Sequence, residues 1–134
     1  MKGCKFVDTN VLIRLWEEKP EFVTWFTRLS DNKKNIYVPS IVIAEVIWVL
    51  SSFYKKSRVE VKKFVDSVTN TKCIKIVTKH DINKALNLYE NSNVKFTDCM
   101  IAAYLGEYDV IISEDRDFDK LPDIRRENVL SQLS

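Results

Sequence analysis

The stretch that decides the fold of this chain is Lys5-Phe6-Val7-Asp8-Thr9-Asn10. Its first three residues suit a short buried strand, and from Asn10 to about Lys19 the sequence predicts a helix that breaks before Pro20. A strand that leads directly into a helix is the first half of a β-α unit, and here an acidic residue stands at the junction.

The rest of the chain continues this alternation of strands and helices. Further strands are predicted at residues 36–38, 73–77 and 110–113, with a short final strand at Val129-Leu130. Further helices are predicted from Pro20, from a Ser40 cap to about Tyr54, over 61–68, over 82–89, and from a Thr97 cap to about Leu105. Val61, Phe64, Val65 and Val68 mark one inner helix face, and Ile82, Ala85, Leu86 and Tyr89 another. We therefore expect an α/β domain with a mostly parallel sheet of four to five short strands.

The composition is that of an ordinary globular protein. The chain has 134 residues, of which 46% are hydrophobic and 30% are charged, and we expect one domain over residues 1–134. No apolar run approaches the roughly 20 residues of a membrane span, and the start from Met1 to Lys5 does not resemble a signal peptide. A cytoplasmic protein without membrane contact is expected. The net charge of only +2 neither recruits nor excludes nucleic acid.

The cysteines and the single histidine do not form a motif. Cys4, Cys73 and Cys99 are scattered singly, and His80 is the only histidine. This pattern argues against a zinc site and against a disulfide framework, and it favours small buried thiols.

Carboxylates instead occupy positions where a folding sequence normally places apolar residues. Asp8 follows the first strand, Glu45 is the only charge between Ile41 and Leu50, Asp98 opens an apolar helix, and Asp115 and Asp117 follow the fourth strand. An unpaired buried carboxylate costs several kcal/mol, so a recurring pattern requires a cause. A divalent cation that all of them face is such a cause.

Each acid also has a simpler explanation when it is taken alone. Glu45 can lie at a helix edge and reach water, and Asp98 can be a favourable first-turn residue. Asp8 can form an Asx-type turn, and Asp115 with Asp117 can belong to a solvated turn. Their placement at two strand ends, a helix start and a buried helix is harder to explain by chance.

Four blocks of this sequence carry a family resemblance. They are Phe6-Val7-Asp8-Thr9-Asn10-Val11-Leu12-Ile13, Ala44-Glu45, Phe96-Thr97-Asp98-Cys99-Met100-Ile101-Ala102-Ala103 and Ser113-Glu114-Asp115-Arg116-Asp117-Phe118. In series they resemble the conserved acidic blocks of the PIN domain, and more narrowly VapC-type toxins, the ribonuclease halves of toxin–antitoxin pairs. Cys99 stands where alanine is usual, and Glu114 is an acid that the motif does not require.

The resemblance implies a fold and a chemistry. It implies a three-layer α/β/α PIN-like domain whose carboxylates bind Mg²⁺ or Mn²⁺ and cut RNA by water attack, leaving a 5′-phosphate and a 3′-hydroxyl. The implied catalytic residues are Asp8, Glu45, Asp98 and Asp115, and the implied metal ligands are the same four with Asp117. Thr9, Asn10 and Ser113 are expected to orient the carboxylates.

The resemblance also implies partners. VapC-type proteins typically form homodimers and are neutralised by an antitoxin that lies in a hydrophobic groove near the acids. Apolar residues on the helices, Ile43, Val46, Ile47 and Leu50 with Trp16 and Trp25, are expected to supply partner surfaces. Trp16, Trp25 and Trp48 can also stack on bases, although Trp25 and Trp48 lie on apolar faces that favour a core or interface role.

Other functions fit the residues less well. A phosphorelay receiver domain would have paired acids after its first strand and an Asp at a mid-chain strand end, which the strands at 36–38 and 73–77 lack. A haloacid-dehalogenase-type phosphatase needs a second Asp where Asn10 stands. A non-catalytic PIN-like binding module remains an alternative.

Overall fold

A computed structural model describes residues 3–134; Met1 and Lys2, part of the expected N-terminal stretch, lie outside the described residues. The strands are β1 (Lys5–Val7), β2 (Ile36–Pro39), β3 (Ile74–Val77), β4 (Val110–Ile112) and β5 (Arg125–Glu127). The α-helices are α1 (Thr9–Trp16), α2 (Pro20–Asp31), α3 (Ser40–Trp48), α4 (Arg58–Thr69), α5 (Ile82–Glu90), α6 (Phe96–Ala102) and α7 (Val129–Gln132). A π-helical segment at Val49–Phe53 continues α3, and a 3-10 helix spans Arg116–Lys120. No helix in this described range is both long and apolar enough to cross a membrane.

All five strands are parallel and form one sheet in the order β3-β2-β1-β4-β5. The prediction of a parallel α/β sheet is therefore confirmed, with helices making a three-layer arrangement. The chain enters the sheet at its centre and builds outward to β3 before β4 is added on the other side of β1. The strand order thus reverses between β1 and β4, and a crevice outside the carboxyl ends of the strands is expected at such a point.

The three central strands account for much of the core. They are short apolar runs because a parallel sheet covered by helices is buried on both faces. Their fully buried side chains are Val7, Ile36, Val38, Ile111 and Ile112. Trp25 of α2 joins this core at 3% exposure, and the three cysteines are free thiols, two of them buried.

Several helix ends differ from the sequence expectation. α1 ends at Trp16 rather than Lys19, and Glu18 takes a positive φ of 60° in the turn that follows. Ser40 does not cap α3, because Pro39 is the cap residue and the Ser40 hydroxyl pairs with His80 Nε2 at 3.0 Å.

The predicted α6 was placed two residues too late. α6 begins at Phe96 after Lys95, so Thr97 lies inside the first turn and is not the cap. The helix also ends at Ala102 rather than Leu105. Asp98 therefore occupies the first turn with its backbone already helical.

The final strand was predicted in the wrong place. Val129 and Leu130 begin α7, where the Asn128 side chain accepts from Ser131 N. The true last strand is the charged segment Arg125–Glu127, which pairs with β4 at the edge of the sheet. An edge strand needs few apolar residues, so the apolar pattern could not reveal it.

Two predicted helix faces are also different in the structure. Of the face expected on α5, only Ala85 is buried, while the side chains Ile82, Leu86 and Tyr89 are about half exposed. Of the expected partner surface, Val46, Leu50 and Trp25 are buried in the core instead. The exposed apolar residues near α3 are Ile47, Trp48 and Phe53.

Candidate metal centre

Asp8 stands at the carboxyl end of the central strand β1. Its backbone N–H donates to Ile112 O at 3.0 Å, so the ladder between β1 and β4 extends to this residue. Its Oδ1 accepts from Thr9 N at 2.8 Å and caps α1. The carboxylate is nevertheless 4% exposed. Asp8 is therefore both a helix cap and a buried charge beside the crevice.

The second oxygen of Asp8 is held by two side chains. Asp8 Oδ2 accepts from Ser113 Oγ at 2.8 Å and from Asn10 Nδ2 at 3.0 Å. Asn10 Nδ2 also donates to Ser113 Oγ, and Asn10 Oδ1 accepts from Glu114 N at 3.1 Å. Asn10 and Ser113 thus contact the carboxylate that they were expected to orient.

Three further carboxylates meet beside Asp8. One oxygen each of Asp98, Asp115 and Asp117 lies within 4.8 Å of the others. Asp115 Oδ1 caps the 3-10 helix by accepting from Asp117 N at 2.9 Å, and Asp117 Oδ1 pairs with Lys120 Nζ at 3.1 Å. The sequence left open whether Asp115 or Asp117 is the relevant acid, and the structure places both next to Asp98.

Asp98 carries the least satisfied charge of this group. It is 1% exposed, and its Oδ2 has no hydrogen-bond partner among residues 3–134. Leaving a buried polar atom unpaired costs free energy, and a bound cation would remove that cost. Because every candidate ligand atom in the cluster is a carboxylate oxygen, the residues fit a hard divalent cation.

Burial and the charge of neighbouring carboxylates shift the pKa values of Asp8 and Asp98. Burial, followed by the charge of Asp8, raises the pKa of Asp98 to about 7, and the positive charge of Lys95 opposes this. Burial likewise raises the pKa of Asp8, although the hydrogen bonds from Ser113 and Thr9 act in the other direction. Asp8 and Asp98 therefore hold their protons more tightly than isolated carboxylates do.

Glu45 reaches the same place from α3. Its Oε1 accepts from Thr9 Oγ1 at 2.8 Å, so the third residue expected to orient a carboxylate also contacts one. With Asp8, Asp115 and Lys95 it lines a cleft of about 650 Å³, hereafter the carboxylate cleft. All five carboxylates predicted from sequence thus lie in this cleft or in the cluster that adjoins it.

Lys95 is the member of the site that the sequence interpretation missed. Burial alone lowers the pKa of Lys95, but Asp98, Glu45 and the other nearby carboxylates outweigh it and the pKa lies above its usual value. A usable signal was its position three residues before Asp98, because residues at this spacing are neighbours on a helix.

A family model for the PIN domain matches residues 5–124. This chain belongs to the PIN-domain family. The match covers β1, all five predicted carboxylates and the 3-10 helix that carries Asp117.

Individual proteins with related sequences or folds agree with this assignment. A VapC ribonuclease of Aquifex aeolicus (strain VF5) is 29% identical in an alignment of 123 residues that covers 87% of this chain and 91% of that protein. VapBC2 from Rickettsia felis, solved bound to a promoter DNA fragment, superimposes with a TM-score of 0.74 at 17% identity over 93% of this chain and 98% of that one. DNA-bound VapBC from Salmonella typhimurium superimposes with a TM-score of 0.69 at 17% identity, over 95% of this chain and 98% of that one. These structures support the fold.

The structure also gives the positions of three further residues that the sequence analysis named. Glu114, the extra acid beside Asp115, accepts from Val129 N at 3.0 Å and so holds α7. Trp48 is 65% exposed and lines the carboxylate cleft, so it does not belong to the core. Trp16 is half-buried against Tyr54, with ring centroids 4.8 Å apart.

Proposed function

We propose that this PIN domain is a cytoplasmic, metal-dependent endoribonuclease and the toxin of a toxin–antitoxin pair. The observation that carries the proposal is the buried carboxylate of Asp98, whose Oδ2 has no partner among the described residues and which lies beside two further carboxylates. The similarity to a VapC ribonuclease along nearly the whole chain supports RNA as the substrate.

The ion we propose is Mg²⁺ or Mn²⁺, because both prefer oxygen ligands and keep some of their water. Asp98, Asp115 and Asp117 would hold it, with Asp8 and Glu45 beside them. When bound, such an ion activates water, orients the scissile phosphate and neutralises charge on the leaving oxygen.

The residues of the chain prepare the site in defined ways. Ser113 and Asn10 fix Asp8, and Thr9 fixes Glu45, so two carboxylates are oriented before any ligand arrives. Lys95 places a positive charge at the same cleft, where it can contact an anionic phosphate. The apolar core beneath the strands gives these side chains a rigid support.

We also propose an antitoxin and a second copy of the chain as partners. An antitoxin segment with apolar anchors and an Arg or Lys would pair with the carboxylates and occupy the cleft. The half-exposed Ile82, Leu86 and Tyr89 on α5 give apolar surface for a homodimer, in place of the buried residues first expected. Light scattering on the wild type and on Leu86→Glu, which should dissociate the dimer, tests this part.

The cleavage proposal is tested with purified protein and a labelled single-stranded RNA. Cleavage is expected with Mg²⁺ or Mn²⁺ and is expected to stop in excess chelator. Asp8→Asn and Asp98→Asn should abolish it, while the matched change Glu114→Gln should retain it because Glu114 faces α7. Undiminished cleavage in chelator would contradict the proposal, and so would RNA binding without any cleavage, which is the behaviour of a non-catalytic module.

A further inference from the structure

One arginine binds both ends of the short segment that carries the last two acids of the candidate metal centre. Arg126 Nη1 donates to the backbone carbonyl of Ser113 at 3.0 Å. Arg126 Nε and Nη2 donate to Asp119 Oδ1 and Oδ2 at 3.0 and 3.1 Å. These three hydrogen bonds are hereafter the Arg126 clamp. Asp115 and Asp117 lie in sequence between its two contact points, so the clamp encloses both acids.

The Arg126 clamp differs from an ordinary ion pair on a protein surface. The side chain of Arg126 is only 15% exposed, although that of Asp119 is 51% exposed. Exposed pairs with one contact stabilise a protein little, whereas a guanidinium that makes two parallel bonds to a carboxylate fixes the orientation of both groups. The third hydrogen bond reaches Ser113, which is fully buried. The guanidinium is therefore held at the sheet and holds Asp119 in turn.

Strand β5 brings Arg126 to this segment. It pairs with β4 at the edge of the sheet, where Arg126 is opposite Ile111. Because side chains alternate between the two faces of a strand, Arg126 leaves β5 on the face opposite to Arg125 and Glu127. Ser113 N donates to Glu127 O at 3.0 Å, and Ser113 O accepts from the guanidinium. Both backbone groups of Ser113 thus depend on this charged edge strand.

The clamp is connected to the acids by two routes. On the first route, the Ser113 hydroxyl donates to Asp8 Oδ2 at 2.8 Å and accepts from Asp115 N at 3.0 Å. On the second route, Asp119 follows Asp117 by two residues in the same 3-10 helix, so a restraint on one restricts the other. Acids as close as those of this cluster repel one another when no cation is bound. A restraint from outside the cluster opposes that repulsion.

We propose that Arg126 is a positioning residue of the metal site, which holds Asp115 and Asp117 beside Asp98 before a metal ion binds. It acts through the clamp and not as a ligand. Arg126 lies beyond residues 5–124, the range that matches the PIN family model. The inference rests on the metal site of the proposed function and extends it to the residues that support the acids. The competing explanations are that Arg126 only stabilises the edge strand, or that its charge alone acts on the acids.

Calorimetric titration with Mn²⁺ separates positioning from charge, because the two explanations predict opposite signs. Removing a positive charge near carboxylates should by itself strengthen the binding of a cation. Loss of a group that orients metal ligands instead weakens binding by about 10- to 100-fold, so Arg126→Gln should weaken Mn²⁺ binding roughly tenfold. Arg126→Lys keeps the charge and should also weaken binding, since an ammonium lacks the planar fork of the guanidinium. Arg125→Gln removes the same charge from the opposite face of β5 and should not weaken binding.

Hydrogen exchange in chelator tests the clamp itself, without any metal ion. The amides of Asp115 and Asp117 donate to Ser113 Oγ and to Asp115 Oδ1. Both amides should exchange several-fold faster in Arg126→Gln, because the segment then opens locally more often. Asp119→Asn breaks the same pair from its exposed side, keeps the fold, and should raise exchange at the same two amides.

Val68→Ala controls for a general loss of stability. Val68 of α4 is 2% exposed in the core, so its truncation should lower the melting temperature. Its Mn²⁺ affinity should equal that of the wild type, because α4 carries none of the acids of the site. A role of Arg126 in edge-strand stability alone would make Arg126→Gln behave like Val68→Ala, with a lower melting temperature and an unchanged Mn²⁺ affinity.

The outcomes distinguish this inference from the function on which it rests. Unchanged or stronger Mn²⁺ binding in Arg126→Gln, while the wild type binds Mn²⁺, would overturn the inference and leave the proposed function intact. An equal loss of affinity in Arg125→Gln, or unchanged exchange in Asp119→Asn, would also overturn it. If the wild type bound no Mn²⁺ and cut no RNA while both clamp variants raised exchange at Asp115 and Asp117, the proposed function would fall and the clamp would stand.

Discussion

Ser113 Oγ donates a 2.8 Å hydrogen bond to Asp8 Oδ2 and so joins the carboxyl ends of β4 and β1. The same hydroxyl oxygen accepts from Asn10 Nδ2 and from Asp115 N, both at 3.0 Å. A hydroxyl has one donor and two acceptor positions, and all three are used here. One fully buried side chain thus positions two of the acids of the proposed metal site.

Ser113→Ala should lower both stability and metal response. The buried Asp8 oxygen loses its shortest hydrogen bond, and such losses cost about 1–3 kcal/mol. We expect a lower melting temperature in chelator and a smaller rise on addition of Mg²⁺. Ser67→Ala is the control, because the Ser67 hydroxyl is exposed on α4 and should change neither quantity. An unchanged Mg²⁺ response in Ser113→Ala would show that Asp8 does not need this support.

Asp98→Asn should stabilise the metal-free protein at neutral and alkaline pH. The folded-state pKa of Asp98, about 7, lies above the ordinary value of 3.8, so the folded state binds its proton more tightly than the unfolded state does. Wild-type stability should therefore fall between about pH 4 and pH 7 and level off above. Asn removes the part of this decline that Asp98 causes, and chemical denaturation at pH 8 should show a gain of about 2–4 kcal/mol. Asp31→Asn, an exposed change outside the cleft, should behave like wild type throughout.

Metal binding should release a proton from Asp98 below neutral pH. Because a carboxylate must be deprotonated to ligate a cation, apparent Mg²⁺ affinity should fall about tenfold per unit as pH decreases below 7. Calorimetry at pH 6 in two buffers of different ionisation enthalpy measures the proton directly. If affinity at pH 6 and pH 8 is the same, Asp98 is not a ligand.

Replacing the carboxylate by an amide should affect Mg²⁺ stabilisation differently at the neighbouring residues Glu114 and Asp115. Asp115→Asn should reduce the stabilisation by Mg²⁺, since Asp115 lies within 4.8 Å of Asp98 and Asp117. Glu114→Gln should retain that stabilisation, because Glu114 Oε2 accepts from Val129 N. Thermal melts with and without Mg²⁺ compare the two variants, and an equal loss in both would contradict the geometry.

Lys95→Gln should weaken the metal-free protein slightly and strengthen metal binding. When no metal ion is bound, the positive charge of the Lys95 ammonium offsets part of the negative charge of the carboxylates. The same charge repels a metal ion that approaches the site. The loss of stability in chelator should stay below about 1 kcal/mol, because Lys95 is exposed. Calorimetric titration with Mn²⁺ should give a higher affinity than for wild type. Lys72→Gln controls for the change of net charge, and a lower affinity in Lys95→Gln alone would contradict this electrostatic role.

The parts of the fold that could be predicted are those that bury apolar surface. Strands β1, β2 and β4 are apolar runs because they lie inside the sheet, and the edge strand β3 keeps Ile74, Ile76 and Val77, so the sequence located all four. Strand β5 is Arg-Arg-Glu at an edge, so its pairing depends on backbone hydrogen bonds with β4 that leave no apolar pattern. The face of α5 was misassigned for the converse reason, since Ile82, Leu86 and Tyr89 keep helical spacing without being buried.

The candidate site could be predicted as a set of residues but not as a geometry. Acids in apolar surroundings stand out in a sequence because burying charge is costly, and all five predicted acids lie together in the structure. Lys95 was missed because a lysine at the start of a helix is ordinary on a protein surface. For Trp48 the apolar neighbours left a core or an interface role open, and only the rotation of α3 shows that the side chain is exposed and outside the core.

The hydrogen bond between Ser113 and Asp8 spans a separation of 105 residues. A growing polypeptide must therefore extend past the fourth strand before Asp8 gains its hydrogen bond from Ser113, and it must reach Asp117 before the carboxylate cluster is complete. Nascent chains that are still being translated lack the nuclease centre that we propose, so the messenger and the ribosome are not exposed to it during most of synthesis. A premature stop anywhere before residue 110 would yield a fragment with neither the last acids nor the strand that supports them.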